Sequence, residues 1–179
     1  MDPLISIVVP VFNEARTVAE VIERLIAIDL PAAREILVVN DGSTDGTREV
    51  LDKVPPRPEL RIIHAEKNGG KGSAIRIGFA RASGTIVAIQ DADLELDPAQ
   101  IADLVTPILD GRTRVVYGSR FLAGRPAAPW LSIVANEVLT GVTNVLYGGR
   151  LTDMPTLSPG INTVPSSGLL NAISRMNPT

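Results

Sequence analysis

The chain has 179 residues, 45% of them hydrophobic and 21% charged, a composition that suits one globular domain and excludes a disordered chain. Its net charge of −3 gives no general attraction to nucleic acid or to an anionic membrane, so contacts with phosphate must be local. The absence of cysteine and the presence of a single histidine, His64, exclude disulfides, thiolate nucleophiles, cysteine-ligated zinc and any site that needs two histidines.

No basic segment precedes the first apolar run, since the chain opens with Met1-Asp2-Pro3, and we therefore expect no signal peptide. No apolar stretch reaches the length of about 18 residues that a transmembrane helix needs, so we expect none in this sequence. Both features are typical of a cytoplasmic protein.

Short β-branched runs alternate with apolar residues at helical spacing. In chain order, the predicted elements are a strand at 5–9, a helix with Val18, Val21, Ile22 and Leu25 on one face, a strand at 36–39, a helix near 47–54, a strand at 60–63, a helix near 72–82, a strand at 85–89, a helix with Ile101, Leu104, Val105 and Ile108 on one face, and a strand at 114–117. This alternation predicts an α/β fold with a parallel sheet and helices on both faces.

The last third of the chain has a different character. Residues 129–147 carry an apolar stripe that predicts a longer helix, which faces either the core or a lipid. Residues 155–179 are rich in proline and lack periodicity, so we expect them to be irregular. The predicted organisation is thus one domain over 1–154 and a divergent tail over 155–179.

Acidic residues follow three of the predicted strands. Glu14 follows the first, Asp41 the second, and Asp91 and Asp93 the fourth. In parallel sheets, ligands bind beyond the carboxyl ends of the strands. These carboxylates should therefore meet at one edge of the sheet and form a site.

Asp91 and Asp93 are two residues apart, so in an extended segment their side chains project to the same side. Two such carboxylates can share a hard cation, and Mg²⁺ or Mn²⁺ prefers oxygen ligands. The alternative is that one of them caps the next helix. Asp97, followed by Pro98, is the better cap, which favours the metal site.

The segment Asp41–Gly46 joins a strand to a helix. Thr44 or Asp45 can cap that helix, which accounts for part of the pattern. Asp41, nearer the strand, is the better candidate for accepting hydrogen bonds from a ligand.

The segment Asn68–Ser73 is glycine-rich and precedes a helix, so its backbone can approach an anion closely, with Lys71 as a mobile cation. Neither the P-loop pattern nor the dinucleotide fingerprint fits its spacing. Arg120 follows the last predicted strand and either binds phosphate or is an ordinary exposed arginine. We expect His64 to be a strand-end or surface residue.

Five segments occur together and in order: Val9–Glu14, Asn40–Gly46, Asn68–Gly72, Asp91–Asp93 and Gly118–Arg120. Together they resemble family 2 glycosyltransferases over residues 4 to about 154, with similarity to dolichol-phosphate mannosyltransferases and related polyprenyl-phosphate glycosyltransferases. The resemblance implies a GT-A fold, a Rossmann-like and mostly parallel sheet.

The resemblance also implies roles for individual residues. It places Asp91 and Asp93 as the metal-binding DXD pair, with Glu95 near the metal, and Arg120 on phosphate. Asp153 matches an acidic position near the acceptor and is the base if the acceptor is a hydroxyl. The positions implied to bind the donor are Pro10, Phe12, Glu14, Asp41, Lys71, Asp91 and Ala92.

The implied activity is inverting transfer of a hexose from a nucleotide-diphosphate sugar, of the GDP-mannose or UDP-glucose type, to an acceptor. With Mg²⁺ or Mn²⁺ as cofactor, the implied acceptor is a polyprenyl or dolichyl phosphate at the cytoplasmic face of a membrane, and no nucleic acid takes part. After Met154 the sequence departs from the family pattern. This departure leaves two alternatives open, a nucleotide-sugar-binding fragment that lacks the acceptor half and a poorly stable fragment whose 129–147 helix drives association.

Overall fold

The computed structural model describes residues 2–94, 96–117 and 162–165. The elements in chain order are β1 (Leu4–Val11), α1 (Val18–Ala27), β2 (Ala33–Asn40), α2 (Thr47–Asp52), β3 (Leu60–His64), α3 (Lys71–Arg81), β4 (Ile86–Ile89), α4 (Gln100–Leu109), β5 (Val116–Tyr117) and β6 (Asn162–Pro165). The strands and helices predicted up to residue 117 are present close to their predicted bounds. The helix predicted at 129–147 lies outside the described residues.

The strands form one sheet in the order β3-β2-β1-β4-β6-β5. β1 lies parallel to β2, with Val9 beside Val38, and parallel to β4, with Ile7 beside Ala88. β3 is parallel to β2, whereas β6 is antiparallel to both β4 and β5. The sheet is therefore mostly parallel, as predicted.

Strand β6 departs from the irregular structure that the sequence predicts for residues 155–179. Thr163 and Val164 are β-branched, which suits them to a strand. The edge of β4 that does not face β1 provides the backbone hydrogen-bond partners, with Val87 beside Val164. The boundary predicted at residue 154 lies outside the described residues.

Helices cover both faces of the sheet because successive strand residues point to opposite sides. On one face, alternate residues of β1, from Ile5 to Val11, join the main core with buried residues of α1, α2 and α4. On the other face, Val8 packs with Leu37, Val87 and Phe79 of α3. A Cβ at Gly78 would lie only 2.3 Å from Cγ1 of Val8, so this glycine allows α3 to pack closely on β1.

A buried carboxylate ties the amino-terminal edge of the sheet together. Glu35 accepts hydrogen bonds from Ser6 Oγ (2.5 Å), from the Ser83 backbone N–H and hydroxyl (2.6 and 2.9 Å), from the Gly84 N–H (3.2 Å) and from Arg61 (2.5 Å). Burial alone would raise the pKa of Glu35, but these hydrogen bonds outweigh it and lower the pKa. The cluster lies at the opposite edge from the predicted site and is structural.

Among the residues that the structure describes, no helix combines the length and the apolar character needed to cross a bilayer.

Candidate active site at the carboxyl edge of the sheet

A cavity of about 250 Å³ lies at the carboxyl ends of β1, β2 and β4, the edge at which parallel sheets bind ligands. The prediction that the strand-end carboxylates converge there is confirmed. The lining residues predicted from the sequence are Pro10, Phe12, Glu14, Asp41, Lys71, Asp91, Ala92 and Asp93, and the structure adds Val11, Asn68, Gly70 and Ala74.

The β1 side of the cavity offers an aromatic ring and a carboxylate. Phe12 is 45% exposed, which is unusual for phenylalanine and leaves its ring available to a planar ligand. Glu14 is oriented by two contacts, because its backbone N–H donates to Thr47 Oγ1 (2.9 Å) and its Oε2 accepts from Thr17 Oγ1 (2.8 Å).

The β2 side offers a buried carboxylate. Asp41 is 2% exposed, and its Oδ1 and Oδ2 lie 3.0 and 3.2 Å from the Gly69 N–H that donates to them. Gly42 has φ +67, and a Cβ there would lie 2.6 Å from Asn68 N. Because only glycine fits at this position, the glycine-rich segment can approach β2 closely enough to hold Asp41 at the cavity wall.

The N-cap residue of α2 is Gly46, which makes no side-chain cap hydrogen bond, so the prediction that Thr44 or Asp45 occupies that position is wrong, and Asp45 instead contacts the first residue of the helix. Its Oδ1 accepts from the Thr47 N–H (3.1 Å) and from the Thr47 hydroxyl at the start of α2, and its Oδ2 accepts from the Ala15 N–H (3.2 Å). The hydrogen bond from the Thr47 side chain is the main cause that lowers the pKa of Asp45. Asp45 thus joins the segments before α1 and α2 outside the cavity and leaves Asp41 to face it.

The glycine-rich segment brings a cation into the cavity. Lys71 is the first residue of α3, after Gly70 with φ +82. Its Nζ lies 2.5 Å from Oδ1 of Asp91. The Lys71 side chain is 42% exposed and that of Asp91 is 9% exposed, so the lysine can reach a ligand while the carboxylate stays in place.

Asp91 and Asp93 both line the cavity, although not because they lie on an extended strand. β4 ends at Ile89, and the chain bends before Leu94, whose φ is +61. The prediction that Asp97 caps the next helix is wrong, because α4 begins at Gln100, with Ala99 as its N-cap residue and no side-chain cap hydrogen bond. Oδ1 of Asp97 instead accepts from the Ala99 N–H at 3.0 Å in the turn before α4.

The chemistry of this pair suits a hard divalent cation. Mg²⁺ and Mn²⁺ are commonly held by one or two carboxylates and completed by water and substrate phosphates. Within residues 2–94 and 96–117, no group of three or more acidic or histidine side chains could hold a metal. Any cation at Asp91 and Asp93 would therefore need further ligands, and phosphate oxygens in the same cavity would supply them.

Other predicted residues lie elsewhere. His64 is the last residue of β3, between Asn40 Nδ2 (3.1 Å) and Asp52 Oδ1 (3.3 Å), so its prediction as a strand-end residue is confirmed. Glu95, Arg120 and Asp153 lie outside the described residues.

The sequence analysis missed two features of the site. It missed the Lys71–Asp91 ion pair, which depends on the tertiary arrangement of two segments. It also missed Gln90, which is fully buried next to Asp91. An amide directly between an apolar strand and the acidic pair was the signal that could have revealed it.

The sheet order, the helices on both faces and the cavity at the carboxyl edge define a GT-A fold. A mannosyltransferase from Pyrobaculum calidifontis, solved in complex with GDP-Man and Mn²⁺, shares this architecture with a TM-score of 0.57 and 28% identity, over 64% of this chain and 35% of that chain. The sequence pattern described as "Glycosyl transferase family 2" matches residues 6–146. The chain therefore belongs to glycosyl transferase family 2.

Two curated relatives are similar to this chain in sequence. The dodecaprenyl-phosphate galacturonate synthase of Rhizobium johnstonii is 36% identical over 108 residues, which cover 58% of this chain and 32% of that protein. The dolichol-phosphate mannosyltransferase of Pyrococcus furiosus is 31% identical over 126 residues, which cover 70% of this chain and 36% of that protein. This chain thus spans about a third of the length of these relatives.

Proposed function

We propose that the chain binds a nucleotide-diphosphate sugar in the carboxyl-edge cavity and transfers its hexose, with inversion, to a polyprenyl or dolichyl phosphate. The observation that carries this proposal is the convergence of an exposed aromatic ring, four carboxylates and a lysine around one cavity, in a family 2 chain. The donor is of the GDP-mannose or UDP-glucose type. The mannosyltransferase solved with GDP-Man and Mn²⁺ supports a nucleotide sugar and a divalent cation.

The nucleoside occupies the part of the cavity between β1 and β2. The ring of Phe12 stacks on the base, beside Pro10 and Glu14, because an exposed aromatic face is a general platform for bases. Asp41 accepts hydrogen bonds from the base or the ribose. The Gly69 N–H already engages its oxygens, but each carboxylate oxygen has a second acceptor position.

The diphosphate lies toward Asp91, Ala92 and Asp93. Asp91 and Asp93 would hold a divalent cation, which would supply positive charge to balance the negative charge on the departing nucleotide. Lys71, at the start of α3, turns from Asp91 to the phosphate oxygens and adds a second positive charge. On the family resemblance, Glu95 stands near the cation and Arg120 holds phosphate.

The acceptor attacks the anomeric carbon from the face opposite the nucleotide, so one displacement inverts the configuration. A lipid phosphate, with a second pKa of about 6, is already ionised near neutral pH and needs no strong base. Asp153 serves as the base when the acceptor is a hydroxyl. The names of the two curated relatives support a polyprenyl-phosphate acceptor, which would place the reaction at the cytoplasmic face of a membrane.

Two assays test this proposal. Thermal shift and calorimetry with GDP and UDP, each with Mn²⁺ and with EDTA, measure the donor site, because a ligand at 100 times its Kd stabilises the fold by about 2.7 kcal/mol. A transfer assay then offers labelled GDP-mannose or UDP-glucose with a polyprenyl phosphate. Metal-dependent binding with transfer supports the proposal.

The same assays separate the alternatives. Metal-dependent binding without transfer to any polyprenyl phosphate favours a nucleotide-sugar-binding chain that lacks transferase activity. Failure of both nucleotides to bind with Mn²⁺ contradicts the donor site itself. Light scattering alongside the thermal melt addresses the third alternative, because a sharp melt of a monomer contradicts an aggregating fragment.

A further inference from the structure

Gln90 connects strand β4 to the acidic pair. Its backbone N–H donates to the Val8 carbonyl at 3.0 Å, which extends the β1–β4 ladder by one residue beyond Ile89. Its side chain is fully buried. An amide is costly to bury unless it is hydrogen-bonded, so the partners of this amide indicate what it does.

The amide nitrogen joins the two ends of the loop that carries the carboxylates. Nε2 of Gln90 lies 3.2 Å from the Asp91 carbonyl and 3.3 Å from the Leu96 carbonyl. A primary amide is suited to this position because it is neutral and offers two hydrogens to two acceptors. A glutamate would set a buried charge against two carbonyl oxygens, and an apolar side chain would leave both without this donor.

The amide oxygen shows that stability alone does not explain this residue. Oε1 of Gln90 is buried and has no hydrogen-bond partner among the residues that the structure describes. A buried acceptor without a partner destabilises the fold, because it loses its hydrogen bonds to water and gains none in return. Turning the amide over would be worse, because Oε1 would then face the two carbonyl oxygens. A buried side chain that lacks half of its hydrogen bonds is typical of a site where function overrides stability.

The middle of the same loop is also constrained. Leu94 has φ +61, a left-handed conformation that is unfavourable for a residue with a Cβ atom. Its side chain packs against the main core, which holds the backbone there. The loop is therefore fixed at its ends by Gln90 and at its centre by Leu94, and Asp93 lies between these fixed points.

From this geometry we infer that Gln90 is a positioning residue, which holds the 91–96 loop so that Asp91 and Asp93 present their carboxylates together to a divalent cation. The inference rests on the proposed function. Gln90 does not line the cavity and acts through the backbone of the loop. Groups that orient metal ligands typically change metal affinity by about 10–100-fold when they are replaced.

The test replaces the amide with a side chain of similar length. Gln90→Met removes both hydrogen bonds and also the orphaned oxygen, so we expect the metal-free melting temperature to change by only a few degrees. Calorimetric titration of the full chain with Mn²⁺ alone should show an affinity about tenfold weaker or more. Gln100→Met, which alters an exposed glutamine of α4, is the matched control and should bind Mn²⁺ like the wild type.

The outcomes distinguish this inference from the proposed function. If Gln90→Met binds Mn²⁺ with wild-type affinity, the inference is overturned and the donor site stands. If the wild type binds no Mn²⁺, with or without GDP or UDP, the proposed function fails, and the inference fails with it.

A measurement on the wild type covers the case in which Gln90→Met does not fold. In a nitrogen-15 NMR titration with Mg²⁺, the side-chain amide of Gln90 should shift with the same midpoint as the backbone amides of Asp91 and Asp93. A Gln90 amide signal that stays unchanged while the backbone amides shift would overturn the inference.

Discussion

Nζ of Lys71 lies 2.5 Å from Oδ1 of Asp91, so the glycine-rich loop and the acidic pair after β4 are joined by an ion pair inside the cavity. A divalent cation at Asp91 would compete with this ammonium for the same oxygen. A diphosphate, by contrast, would attract both cations. Lys71 should therefore weaken the binding of the metal alone and strengthen the binding of the metal together with a nucleotide.

Replacement of Lys71 by methionine should change these two affinities in opposite directions. For Lys71→Met we expect Mn²⁺ alone to bind about fivefold more tightly, since a part-exposed ion pair contributes roughly 1 kcal/mol. We expect GDP or UDP with Mn²⁺ to bind about tenfold more weakly, because a charge-assisted contact with phosphate is lost. Calorimetry measures both affinities, and Lys53→Met, at an exposed position, is the control. If both affinities changed in the same direction, the result would contradict a competition between Lys71 and the cation for the Asp91 carboxylate.

Phe12 provides a separate test of the nucleoside pocket. Loss of base stacking in Phe12→Ala should weaken nucleotide binding by about fivefold or more, because stacking on an aromatic ring is worth about 1–3 kcal/mol per base. Phe12→Tyr keeps the ring and should bind like the wild type. Stability should change little because Phe12 is 45% exposed.

The control for Phe12 is Val115→Ala, an exposed apolar residue that does not line the cavity. Fluorescence or calorimetric titration with GDP and UDP compares the three variants. Equal affinities for Phe12→Ala and the wild type would exclude the stacking role.

Glu35 contributes to the stability of the fold in a way that depends on pH. Its pKa is lowered from the ordinary value of 4.5, with burial opposed by hydrogen bonds from Ser6, Ser83 and Arg61. A carboxylate with a lower pKa in the folded state stabilises the fold above its unfolded pKa and loses this contribution as pH falls through its folded pKa. Glu35→Gln should therefore lower the free energy of unfolding at pH 7 by about 2 kcal/mol.

Urea denaturation between pH 7 and pH 3 measures this contribution. The difference in the free energy of unfolding between the wild type and Glu35→Gln should become smaller below the ordinary pKa of 4.5, because the wild-type carboxylate becomes protonated. Glu66→Gln, at an exposed position, should match the wild type throughout. A difference in the free energy of unfolding that stays constant down to pH 3 would show that the charge of the Glu35 carboxylate does not stabilise the fold.

Much of the fold followed from local patterns in the sequence. The continuous apolar run of β1 predicted a strand buried on both faces, and the structure packs Ile7 and Val8 against different helices. The spacing of Val18, Val21, Ile22 and Leu25 predicted the buried face of α1. The convergence of Asp41 and Asp91 followed from the rule for parallel sheets.

Other features could not be predicted, because they depend on tertiary geometry. Lys71 and Asp91 are 20 residues apart, and no periodicity joins a helix start to a strand end. The positive φ of Leu94 opposes the usual preference of leucine and is maintained by packing against the core. The sequence patterns did not predict strand β6, because the strand has only four residues and follows a proline-rich segment.

Asp93 tests the central claim, that the acidic pair after β4 holds the cation of a nucleotide-sugar site. The measurement is Mn²⁺-dependent binding and transfer of a GDP- or UDP-sugar by the wild type, by Asp93→Asn and by Asp29→Asn, an exposed control. We expect Asp93→Asn to lose metal-dependent binding and transfer by 100-fold or more, about 2.7 kcal/mol, while its metal-free melting temperature and the Asp29→Asn control stay near the wild type. Unchanged metal-dependent binding and transfer in Asp93→Asn would contradict the claim.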